Sequence, residues 1–69
     1  MEGEIKSIVG DQAVVEPKGD LPKMGSPVFV KKGKLGTVCD IIGNVESPYF
    51  IVKVAKGMDA TIGESASDR

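Results

Sequence analysis

Histidine and tryptophan are absent from the 69 residues, and cysteine occurs once, at Cys39. Without imidazole there is no Ser-His-Asp triad, no Cys-His pair, no histidine metal ligand and no side chain that ordinarily titrates near neutral pH. A single thiol makes neither an internal disulfide nor a thiolate cage for zinc, so no metal site and no cofactor are expected. Leucine is scarce, at Leu21 and Leu35 only, against nine Val and six Ile, a balance that disfavours packed helices and favours strands. No apolar run approaches the roughly 18 residues of a membrane span, and the start MEGEIKSIVGDQ has neither the basic nor the long apolar region of a signal peptide. With the lone thiol, this predicts a cytoplasmic setting. An excess of one charge is missing as well: Lys plus Arg is 9, Asp plus Glu is 10, and the net charge is −1. That balance argues against strong autonomous nucleic-acid binding, which usually leaves a basic footprint.

The length holds one domain, and a core near this size rarely supplies more than about 3 to 5 kcal/mol, so a partner surface would add useful stability. Nine Gly and four Pro are spread along the chain and punctuate short strands. The pattern predicts a strand over Glu4 to Val9, a turn at Gly10-Asp11, and a returning strand over Gln12 to Glu16. Pro17 to Pro22 then reads as a loop. Val28 to Val30 and Leu35 to Ile42 form a second hairpin across Lys31-Lys32-Gly33-Lys34, with Gly33 at positive φ. Tyr49 to Val54 is the fifth strand, and Ala60-Thr61-Ile62 is the candidate for a short closing sixth. Residues 1–64 are therefore expected to form the domain, and Ser65 to Arg69 a frayed tail. The expected fold is all-β: a small, closed or nearly closed, six-stranded antiparallel barrel of the translation-factor-like kind. Alternation sends Phe50, Val52, Val54, Val28 and Val30 inward, leaves Ile51 and Phe29 outward, and turns one of the adjacent Ile41 and Ile42 to solvent. These off-phase apolar residues hint at a sticky face.

Little in the sequence points to catalysis. Cys39 needs a base or a positive field to become a thiolate, and its neighbour Asp40 acts in the opposite sense. Asp11, Asp20, Asp40 and Asp59 are scattered over turns and strand ends, as turn formers and solvated charges are. No GxGxxG or GxxxxGK[ST] arrangement is present. The chain is read as not an enzyme. Lys31, Lys32 and Lys34 at a hairpin tip are possible RNA contacts, although no aromatic residue is interleaved among them to stack a base. They carry an alternative reading of the chain as a small barrel that binds RNA directly.

Residues 36 to 53, GTVCDIIGNVESPYFIVK, differ in kind. A strand ends at Gly43, crosses a loop with an apolar tip at Val45, and re-enters through Pro48-Tyr49. Pro48 fixes its own φ and biases Ser47 to extended geometry, which lowers the entropy lost on docking. Tyr49 offers a flat apolar face with a polar end, a side chain favoured at binding hot spots. Ile42, Gly43, Val45, Pro48 and Tyr49 are the expected partner-binding residues.

This stretch resembles the Gar-one/Naf-one family, the small barrel subunits of H/ACA ribonucleoprotein particles. Asp40, Ile41, Ile42, Gly43, Val45, Pro48, Tyr49 and Lys53 fit the family pattern, and Asn44 stands where proline is common. The short form without Gly/Arg-rich tails is similar to the archaeal type. The resemblance implies a non-catalytic subunit that binds a dyskerin-type pseudouridine synthase directly. It further implies a particle shared with a Nop-ten subunit, a kink-turn-binding ribosomal-type protein and an H/ACA guide RNA. The barrel would modulate substrate loading and product release during rRNA modification and ribosome biogenesis. When isolated, the chain is a candidate for a homodimer through the same apolar face.

Overall fold

The computed structural model describes residues 2–43 and 46–68. Six strands follow in order: β1 (Glu2–Val9), β2 (Gln12–Lys18), β3 (Pro27–Val30), β4 (Gly33–Gly43), β5 (Pro48–Val54) and β6 (Ser65–Ser67). No helix forms among the described residues. The strands close into a barrel in the order β1-β2-β5-β4-β3-β6, every neighbouring pair antiparallel. Closure removes sheet edges, the usual liability of so small an all-β chain.

Each strand sends apolar residues to one core. Ile5 comes from β1, Ala13 and Val15 from β2, Val28 and Val30 from β3, Leu35 and Val38 from β4, Phe50 and Val52 from β5, and Ala66 from β6. Ile8, Val54, Met58 and Ala60 pack against one end of it. Three register shifts keep this alternation in phase. In β1 the shift falls between Ile5 and Ser7, so Lys6 is the extra residue and both Ile5 and Ile8 turn inward despite an odd spacing. In β4 Leu35 is extra opposite Val28 and Phe29, and Cys39 is extra opposite Val52 and Ile51. Such bulges bend a strand and increase its twist, as closure of a short barrel requires. Leu35 fits inside because its neighbour Gly36 has no side chain, and a Cβ at Gly36 would collide with the Lys53 carbonyl oxygen of β5.

The expected hairpins form, with Gly33 at φ 133 as β4 begins. Two expectations fail. Pro17 does not end the second strand but pairs with Gly3, because a proline at that register costs no ladder bond the strand needs. The sixth strand is also misplaced by the sequence. Ala60-Thr61-Ile62 lies outside any strand, while Ser65–Ser67, expected to fray, closes the barrel between β1 and β3 with Ala66 buried. The backbone explains this shift: Ile5 N–H donates to the Glu64 carbonyl at 3.0 Å and Gly63 N–H to the Ile5 carbonyl at 2.7 Å, which aligns residues 63–67 along β1. Backbone pairing, which polarity of side chains does not forbid, carries the strand.

Candidate partner-binding site

The β4–β5 hairpin outruns its neighbours. On β4, β3 pairs only with residues 33–37, and on β5, β2 pairs only with residues 50–53. Beyond those points Ile42 and Gly43 pair with Tyr49 and Pro48 alone, forming a two-stranded ribbon past the rim, with Ile41 opposite Phe50 at its base. Directly opposed residues share a face. Ile42 and Tyr49 therefore lie together on the outer face, and Ile41 with Phe50 on the inner one. Phe50 is fully buried, but Ile41 remains 37% exposed and Ile42 43% exposed. Both isoleucines of the adjacent pair reach solvent, where regular alternation predicted one. The Cys39 bulge resets the phase, and the ribbon then carries both faces beyond the core.

The ribbon's end constrains which residues it accepts. Gly43 has φ +92, a conformation L side chains rarely adopt, and a Cβ there would stand 2.7 Å from the Ser47 carbonyl oxygen. Pro48 and Tyr49 are half-buried. Asp40 Oδ1 accepts a hydrogen bond from the Ile41 N–H at 2.8 Å and satisfies backbone just where the bulge disrupts the ladder. A cavity of about 200 Å³ lies between the ribbon and the end of β2, bordered by Glu16, Pro17, Glu46 and Tyr49 among others. It offers carboxylates beside an apolar and phenolic wall. Near it, Glu4 and Glu16 oppose each other directly across β1 and β2, and Lys6 answers them. Its ammonium donates to Glu4 at 3.2 Å. That bond, Glu4's charge and then Glu16's hold the Lys6 ammonium above its ordinary pKa.

The structure thus brings Ile42, Gly43, Pro48 and Tyr49 together, and Val45 lies outside the described residues. Ile51 is not part of an exposed face: it points outward between Val14 and Asp40 yet is only 8% exposed, covered by its neighbours. Lys31 and Lys32 make the β3–β4 turn, Lys34 sits on β4 opposite Phe29, and all three are exposed. Cys39 is a half-buried free thiol at the bulge. Among the described residues no cluster of three or more metal-ligating side chains occurs. Sequence reasoning missed Ile41 as a second exposed residue. Its signal was faint, because only the bulge at Cys39 separates it from the core.

A closed barrel of this size, with an exposed apolar ribbon past its rim, defines a small binding module. The family model described as Gar1/Naf1 RNA binding region matches residues 2–68, and the chain belongs to that family. Its role is accordingly RNA-associated, in an accessory family and not a catalytic one. Comparison with curated proteins finds no match.

Proposed function

We propose that this protein is an accessory subunit of the H/ACA guide-RNA pseudouridylation particle and docks onto the dyskerin-type synthase through its β4–β5 ribbon. The observation that carries the docking surface is the pairing of Ile42 with Tyr49 beyond the reach of β2 and β3, on a ribbon where Pro48 fixes its own φ. A preorganised apolar projection loses little entropy on binding, and an aromatic anchor at its centre suits a hot spot. The subunit brings no catalytic group. By binding one position of a mobile loop of the synthase more tightly than another, it shifts that loop's equilibrium and changes substrate loading and product release. The Nop-ten subunit, the kink-turn-binding protein and the guide RNA occupy the same particle, in the cytoplasm.

The test is calorimetric titration of the purified synthase with this chain, without RNA. Parent protein binds, and an Ile42→Ser plus Tyr49→Ala double variant binds at least about 30-fold more weakly, the loss typical of a hot-spot residue. Multiple-turnover pseudouridylation responds to the parent chain, while the single-turnover chemical step changes less. Undiminished affinity of the double variant would refute the docking surface.

A further inference from the structure

A second surface lies across the barrel, centred on β6, which stands opposite β5 in the ring of strands. Register aligns five residues in one row over five strands. Lys34 opposes Phe29, Phe29 opposes Ser67, Ser67 opposes Glu2, and Glu2 opposes Lys18. Opposed residues share a face, and this row lies on the outside. A cavity of about 380 Å³ opens there, bordered by Phe29, Lys18, Lys31, Glu2 and Ser67 among others. That volume falls at the lower end of small-ligand sites, about 300 to 1,000 Å³. It exists because β6 has only three residues and meets β3 at a single register pair, so the wall of the barrel is thin above it.

Phe29 is half-buried, wedged by β6 yet bordering the cavity. Lysines flank it on both sides: Lys34 and Lys31 from the β3–β4 hairpin, and Lys18 from the end of β2. Lys18 and Lys31 border the cavity and Lys34 stands next to Phe29 in the row, while among the described residues Glu2 is the one acid bordering it, in a chain whose net charge is −1. An aromatic ring between separated cations is the arrangement that takes a stacked base with phosphates on either side, independent of base identity. A duplex keeps its bases stacked inside and cannot use the ring.

We propose that this cleft binds an unpaired nucleotide of single-stranded RNA, with the base stacked on Phe29 and the neighbouring phosphates held by Lys18, Lys31 and Lys34. The inference rests on the RNA-associated role of the family and not on docking to the synthase. It supplies the aromatic residue that the linear run of lysines lacks.

Fluorescence anisotropy with a labelled oligouridylate of about ten nucleotides tests it, with a blunt RNA duplex as the second probe. For the parent chain, log K falls with log salt at a slope of about −2, as three phosphate contacts on a single strand require. Phe29→Leu weakens binding about tenfold with the slope unchanged, since stacking and charge are separate contributions. Lys18→Gln, Lys31→Gln and Lys34→Gln together flatten the slope toward zero, whereas Lys32→Gln changes it little. These lysines are exposed, so the triple variant reads the site even if Phe29→Leu perturbs folding. No binding, equal binding of the duplex, or a folded Phe29→Leu variant that binds RNA like the parent would overturn the proposal. Loss of synthase binding in Phe29→Leu would also overturn it, by assigning the face to protein. The Ile42/Tyr49 double variant retains oligouridylate binding, which separates this site from the ribbon.

Discussion

The β4–β5 ribbon and the β3–β6 seam are opposite failures of strand matching. At the ribbon, strands of 11 and 7 residues run past their neighbours. At the seam, strands of 4 and 3 residues fall short of closing the wall evenly. Excess length carries apolar side chains out of the core, whereas a deficit opens a polar cleft over it. In this barrel, strand length is therefore what sets both surfaces apart from the evenly paired wall. Excess length makes the projection proposed to dock the synthase, and the deficit makes the concavity proposed to take a base.

The largest effect comes from damaging what both regions share. Phe50 spans the core between Val15 and Ile41, and Phe50→Ala should cost about 3 to 5 kcal/mol, as much as a core this small can supply. Urea unfolding should find it largely unfolded in buffer. Next is the seam. Ala66→Asp places a carboxylate where Ala66 is 2% exposed, and should cost about 2 to 3 kcal/mol. If β6 closes the barrel, amide exchange should rise first at Gly3 and Ile5 and last along the β4–β5 pair. Uniform exchange would show that seam and ribbon do not differ in stability.

At the ribbon the expected order reverses, with small costs in stability and large ones in binding. Gly43→Ala meets both the positive φ and the Ser47 carbonyl, and should cost about 1 to 2 kcal/mol by thermal melting. Tyr49→Ala and Ile42→Ser should each shift stability by less than about 1 kcal/mol, because neither fills the core. The smallest effect belongs to Lys6. Its replacement by Ala leaves Glu4 and Glu16 face to face and should lower the melting temperature slightly at low salt, an effect that added salt screens away. A Lys6 pKa raised by folding also means that this contribution is present below the unfolded-state value and lost as pH rises through the folded one.

Much of this arrangement is legible in the sequence, because the signals are local. The turn at Gly10-Asp11, the glycine at the β3–β4 turn and the alternation of Val28, Val30, Phe50 and Val52 each depend on residues a few positions apart. The ribbon is equally local, and Ile42, Gly43, Pro48 and Tyr49 emerge together. What was illegible depends on pairing at a distance. Ser65-Ala66-Ser67 has no side-chain signature of a strand, and only its alignment with Glu2 to Glu4 makes it one. The bulges at Lys6, Leu35 and Cys39 are invisible for the same reason, since a bulge is defined by the partner strand. Phe29 could be read as outward-facing, but its place in a row with Lys18 exists only after β6 and β1 have come between them.

The most direct test of the ribbon as the docking element is amide mapping of isotope-labelled chain by nuclear magnetic resonance as unlabelled synthase is added. The account predicts that perturbations and loss of intensity concentrate at Ile41, Ile42, Gly43 and Tyr49, while Phe29, Lys31 and Ser67 keep their free-state signals. Perturbations confined to β3 and β6, with the ribbon unchanged, would contradict it.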